Sequence, residues 1–149
     1  MSNPHQHVGF TLDEHRYALP LSFVERIVRA VEITPLPKAP EIVLGIVNVE
    51  GCVLPVFDVR KRFRLPQREI QLNDQLIIGH STRRPLVLLV DAADIIECSD
   101  QEVFPAEQIH PAIEYFDGVA KLEDGLVLIH DLNKFLSLDE EEALDHALK

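Results

Sequence analysis

Cysteine is nearly absent from this chain. The two present, Cys52 and Cys98, fall in separate apolar runs with no CxxC spacing. That argues against a disulfide framework and a zinc ligand set, and points to buried free thiols in a reducing compartment. Basic residues are also scarce: 14 lysines and arginines stand against 25 acids, a net charge of −11. A nucleic-acid binder needs a basic face to release counterions, and docking on an anionic membrane asks for the same. No apolar run approaches the roughly 20 residues of a membrane-spanning helix. The opening stretch, MSNPHQHVGF, carries neither the apolar segment of a secretion signal nor a lipidation motif. The expected location is the cytoplasm. Catalytic signatures are missing too, with no G-x-S-x-G, P-loop, G-x-G-x-x-G or H-E-x-x-H.

What remains that invites chemistry is thin. His130-Asp131 suggests a hydrolase pair, but neighbours on a strand point to opposite faces. His5 and His7 share a face if extended, yet two ligands without a third are seldom a metal site. The basic segment from Arg60 to Arg68 could hold phosphate in a ligand-binding barrel; a solvated basic turn is the plainer reading. We expect no enzyme, no cofactor and no metal.

With 149 residues, one compact domain is expected. Short apolar runs separated by turn residues predict a mostly β chain. Val8–Leu12 and Arg16–Leu19 form a hairpin. Ser22 and Glu25 have capping-box spacing, which predicts a short helix burying Phe23 and Ile27. Pro35, Pro37 and Pro40 interrupt regular structure. Pro40–Leu44 predicts one helical turn, stopped by Gly45. Ile46–Val49 and Cys52–Phe57 form a hairpin across Glu50-Gly51. Pro55 places its stretch at an edge or bulge, because proline cannot donate to a ladder. Asp58 caps a helical turn reaching Phe63.

Residues 66–74 are polar and divide the chain into halves, the first mainly 8–65 and the second mainly 75–130. In the second half Gln75–Gly79, Leu86–Asp91, Ile95–Cys98, Tyr115–Leu122 and Leu126–His130 read as strands, with a turn at Asp124-Gly125. Asp131 caps a further turn. Residues 1–7 are a flexible tail, and 139–149 form an acidic helix with Leu144 and Leu148 on one stripe.

The segment Gly45-Ile46-Val47-Asn48-Val49-Glu50-Gly51-Cys52-Val53-Leu54-Pro55-Val56-Phe57-Asp58-Val59-Arg60 is similar to the G-V-x-N-L-R-G-x-V-x-P-V-x-D-L-R stretch of the CheW family. Phe10-Thr11-Leu12 and Tyr17-Ala18-Leu19-Pro20 resemble its opening hairpin. Val24-Glu25-Arg26-Ile27 resembles its V-x-E-I helix, and the run from Ile33 to Pro40 its I-T-x-L-P-x-x-P loop. Leu88-Leu89-Val90-Asp91 resembles its buried strand ending in V-D, and Gly118-Val119 with the run from Leu126 to Leu132 its closing strands. The likeness spans residues 8–138.

The resemblance implies two packed SH3-like five-stranded barrels with short helices and a C-terminal helix. It also implies a non-catalytic adaptor coupling chemoreceptors to a CheA-type histidine kinase and recruited to membrane receptor arrays. The kinase's regulatory domain would pair barrel to barrel, and the receptor tip would dock between the barrels. The expected partner-binding residues are Val31, Ile33, Asn48, Val49, Glu50, Gly51, Val53, Asp58 and Leu89. Val31, Ile33, Val49, Val53 and Leu89 are placed near the barrel junction as a groove. Glu50 stands where the family carries arginine, so that arginine's role does not transfer to it.

Overall fold

The structure, a computed structural model, describes residues 5–98, 103–105, 116–122 and 125–148. Among these the chain runs β1 (His5–Leu12), β2 (His15–Pro20), a 3-10 turn (Leu21–Phe23), β3 (Val24–Arg29), β4 (Val43–Val49), β5 (Cys52–Phe57) and α1 (Val59–Arg62). It continues with β6 (Gln75–His80), β7 (Pro85–Val90), β8 (Ala92–Cys98), β9 (Val103–Pro105), β10 (Phe116–Leu122), β11 (Gly125–His130), a second 3-10 turn (Leu132–Lys134) and α2 (Leu138–Leu148). The strands form two sheets, β8-β1-β2-β11-β10-β9 and β3-β6-β7-β5-β4. This is the expected mostly β architecture of two SH3-like subdomains, with the three-residue β9 as an extra strand on one sheet.

The sheets do not divide at residues 66–74. The first hairpin joins the C-terminal strands: β1 pairs with β8, and β11 runs parallel to β2 through Leu128–Tyr17 and Ile129–Ala18. The other sheet is built from β3 to β7 alone, and the segment 66–74 lies inside it. Local hydrophobic patterning marks strands but carries no label for a distant parallel partner, so the halves were misplaced.

Three local expectations also change. Ser22 and Glu25 form no cap, and Val24–Arg29 is a strand. Val24, Ile27 and Val28 are β-branched and fit a pleated surface better than a helix. Pro40–Leu44 gives only a turn, Val43 N–H donating to the Pro40 carbonyl at 2.9 Å, before β4 starts. Residues 5–7 of the supposed tail belong to β1 because β8 is long enough to pair them. Asp124 and Tyr115 lie outside the described residues.

The same S-x-x-E spacing does form a capping box at Ser137 and Glu140. Glu140 Oε1 accepts from Ser137 N–H at 2.8 Å, and Ser137 Oγ accepts from Glu140 N–H at 3.1 Å. The helix it opens, α2, buries Leu144 completely, while Leu148 is left exposed. Arg84 Nε reaches Glu141 at 2.8 Å and Arg62 Nη2 reaches Glu140 at 2.6 Å, fastening the first turn of α2.

One large core lies between the sheets. Val8, Phe10, Leu12, Tyr17 and Leu19 meet Phe57, Ile77, Leu86, Leu88 and Val90, with Phe135 and Leu144 closing it. A smaller cluster of Val47, Val56, Leu76, Ile78 and Val87 fills the opposite face of the second sheet. The β5–β7 pairing is parallel and begins at Val56–Val87. Pro55 lies just before it, so its missing donor falls where β5 has no β7 partner.

The two subdomains repeat one device. Each ends a hairpin on an aspartate that caps the next turn. Asp58 accepts from Lys61 N–H at 3.0 Å, and Asp131 accepts from Asn133 N–H at 2.9 Å.

Candidate functional site

The β4–β5 hairpin turns on Glu50 and Gly51, whose φ angles are +49° and +87°. Positive φ at both positions matches the right-handed twist of the flanking strands. Glycine adopts it freely and glutamate does not. Asn48 buttresses the turn, its Oδ1 accepting from Gly51 N–H at 2.9 Å.

Glu50 is held from across the sheet. Arg26 Nη1, on β3, donates to Glu50 Oε1 at 2.8 Å. Strands β3 and β4 are the two edges of their sheet. Thr34, just beyond β3, also exchanges backbone hydrogen bonds with Ile46 at 2.8 and 2.9 Å. The sheet therefore curls until its edges meet, and the Arg26–Glu50 pair fastens the seam at its tip. The Arg26 hydrogen bond, and then its charge, hold the Glu50 carboxyl below the usual range. Gly45 is required at the same seam. A Cβ there would sit 2.2 Å from the Thr34 carbonyl oxygen.

The five aliphatic residues expected to line a groove are all at least partly exposed, but they do not share one face. Val49 pairs with Cys52, and Asn48 pairs with Val53, so Val49 and Val53 face opposite ways. Ile33, Val49 and Leu89 pack on the small cluster inside their own subdomain. The junction is filled by the large core instead. Val31 and Val53 are 47% and 58% exposed. Asp58 is buried as a cap. What the surface offers together is Asn48, Glu50, Gly51 and Val53 at the hairpin tip, with Arg26 beside them. Cys52, expected to be buried, is exposed there; the side chain of Cys98 lies outside the described residues.

Arg26 was missed. Its signal was present, since the V-x-E-I pattern has glutamate where this chain has Arg26, and the hairpin pattern has arginine where it has Glu50. Only the fold shows that the two departures touch.

Within the basic segment Lys61 and Arg64 are exposed, as in a solvated turn, but Arg60 and Arg68 are taken up by carboxylates. Arg60 is 8% exposed and clamps Asp91 with Nη2 at 2.7 and 2.8 Å, while its Nη1 reaches Asp13 at 2.9 Å. Arg68 Nη2 bridges Asp74 at 2.6 Å and Asp91 at 2.5 Å. Asp91 also accepts from Asp13 N–H at 2.6 Å. Burial works to raise the Asp91 pKa, but the hydrogen bonds from Arg60, Asp13 and Arg68 outweigh it and the net shift is down. Asp91 joins β7 to β8, where the chain crosses between sheets, so the network ties the subdomains together.

The hydrolase reading through His130 fails on access. His130 is fully buried, with its ring 5.0 Å from that of Phe63 and 5.2 Å from that of Phe135. Burial, and then the nearby Arg62 charge, lower its pKa to about 3. Asp131, its neighbour, is spent on a cap. A solvent-borne substrate has no path to this imidazole.

Comparison with known proteins agrees across nearly the whole chain. The family model of the CheW-like domain matches residues 6–140. The chain is 29% identical to the chemotaxis protein CheW of Rhizobium meliloti, over 91% of this chain and 90% of that protein. It is 28% identical to the chemotaxis protein CheW of Bacillus subtilis, over 91% and 89%. The crystal structure of the scaffolding protein TtCheW from Thermoanaerobacter tengcongensis superposes with a TM-score of 0.83 at 28% identity, covering 93% of this chain and 96% of that one.

Proposed function

The chain belongs to the CheW-like domain family, and from that premise we propose that it couples a chemoreceptor to a CheA-type histidine kinase by binding both. It is a non-catalytic scaffold of chemotaxis signalling. The observation that carries the two-partner reading is the exposed hairpin tip. Asn48, Glu50, Gly51 and Val53 stand out together on a closed seam, while Arg60 and Arg68 of the basic segment are taken up by internal ion pairs. A site on a stiff scaffold with an apolar centre and a polar rim suits protein recognition more than turnover.

Val31 lies in the segment leaving β3 and adds an exposed aliphatic contact. Ile33, Val49 and Leu89 are half-buried and pack against the small cluster of the same subdomain. Asp58, at the end of β5 away from the tip, fixes the turn that follows that strand. The working location is the cytoplasmic face of receptor arrays, reached through the receptor. Among the described residues no helix is long and apolar enough to cross a membrane.

The test is a pull-down from cytosol plus detergent-solubilised membranes, using the whole chain. Recovery of both a CheA-type kinase and a chemoreceptor, identified by mass spectrometry, supports the coupling role. Recovery of neither removes it.

A further inference from the structure

We infer that Gln75 and Asp94 together guard a sheet edge: their side-chain oxygens occupy outward-facing backbone donors of β8 and keep a strand from a second copy of this chain from adding there. This stands apart from the adaptor reading, because it concerns how copies of the chain stay separate.

An edge strand presents unpaired N–H and C=O groups, which template pairing with another chain. Among the described residues the two sheets have four edges, β8 and β9 in one, β3 and β4 in the other. Three are managed by other means. The β3 and β4 edges curl together, with Thr34 bridging Ile46. β9 is only three residues long and ends on Pro105, which has no N–H to offer. β8 is different. It runs seven residues and pairs with β1 in unbroken antiparallel register, from Thr11–Ala92 to His5–Cys98. At its centre stand Ile95 and Ile96, and Ile95 is 58% exposed. A long, regular edge with an exposed β-branched residue is where intermolecular sheets grow.

In such a strand alternate residues turn their N–H away from the paired neighbour. Ala93 and Ile95 are two apart, so their N–H groups share a side. Both are taken by side chains. Gln75 Oε1 accepts from Ala93 N–H at 2.7 Å, and Asp94 Oδ1 accepts from Ile95 N–H at 2.8 Å. The first cap reaches across from β6 in the other sheet, and the second is local to β8. A partner strand would have to displace both oxygens before it could bond to these donors. Charge works in the same direction. Asp94 and Glu97 put two acids on β8 of a chain whose net charge is −11, so a second copy is repelled as it approaches.

The experiment is sedimentation velocity on the full chain across a concentration series, with thermal melts to show that each variant is folded. Wild type is compared with Gln75→Ala, Asp94→Ala, the double variant of these two, and Asp94→Asn. The double variant should self-associate about tenfold more tightly than the wild type, the scale of one or two added backbone hydrogen bonds. Hydrogen exchange at Ala93 and Ile95 should quicken in its monomer and slow again as it associates. Asp94→Asn removes the charge but keeps an accepting oxygen, so it should stay close to the wild type. Adding Ile95→Lys to the double variant should return it to the wild-type state, because a charge on the edge blocks pairing. Three results overturn the inference: a double variant that associates no more than the wild type, Asp94→Asn associating as strongly as Asp94→Ala, or association that Ile95→Lys leaves intact. If Gln75→Ala does not fold, the comparison of Asp94→Ala with Asp94→Asn decides by itself, since Asp94 is exposed and its loss leaves the core untouched.

Discussion

Replacing Asp91 with alanine tests whether the ion network holds the two subdomains together. Asp91 accepts two hydrogen bonds from Arg60, one from Arg68 and one from the Asp13 N–H. The Arg60 side chain is only 9% exposed, so it cannot turn to water when its partner is lost. Breaking a buried pair by removing one member costs about 3–5 kcal/mol. Two features reduce that here. Asp91 is itself 22% exposed, and Asp13 still reaches Arg60 at 2.9 Å. We therefore expect a loss of about 3 kcal/mol, which in a domain of this size lowers Tm by roughly 6–12 °C. Urea unfolding with a shared m-value is the assay. The double variant Arg60→Met, Asp91→Leu should cost less than either single charge removal, because it leaves no orphaned ion. A loss below about 1 kcal/mol for Asp91→Ala, or a double variant as unstable as the two singles summed, would refute the reasoning.

Four further outcomes follow from the same structure. Leu144→Ala should cost about 3 kcal/mol in urea unfolding, since Leu144 is fully buried in the inter-sheet core. Gly45→Ala should cost at least about 2 kcal/mol, because its Cβ meets the Thr34 carbonyl; hydrogen exchange should show Ile46 opening first. Asp58→Ala should cost about 1 kcal/mol through the lost cap and leave receptor and kinase affinity unchanged. For His130, the folded pKa of about 3 lies below the unfolded 6.5. Between those values the unfolded state binds the extra proton, so stability is whole above pH 6.5 and falls as pH drops toward 3, by up to about 1.4 kcal/mol per pH unit. His130→Leu should flatten that slope in urea titrations at pH 4–7, leaving a smaller decline at the acid end from carboxyls held below their ordinary range, Glu140 among them.

Several features were legible because their causes are local. A two-residue turn needs residues that accept positive φ, and Glu50-Gly51 between two apolar runs supplied the signal. Asp58 and Asp131 were readable as caps because a cap spans only three residues. The ordered landmarks from Gly45 to Arg60 identified the family. Even local spacing can mislead, though. Ser22-x-x-Glu25 and Ser137-x-x-Glu140 carry the same capping signature, and only the second forms a helix. The first leads into Val24, Ile27 and Val28, which the adjacent β6 draws into a sheet. The second leads into residues with no β-branch and a single leucine that fits the core.

Taken alone, the sequence determined the mostly β class, the turn chemistry, the absence of a catalytic motif and the departure at Glu50. Tertiary structure alone decided which strands share a sheet, why Arg60 and Arg68 are unavailable to a ligand, and that Arg26 meets Glu50. The reason is range. Backbone angle and capping are set within a few residues, whereas parallel strand partners and ion pairs are chosen by burial between segments far apart in the chain. The hairpin could be read from its residues, but the cation that holds its tip arrives from the opposite edge of a curled sheet.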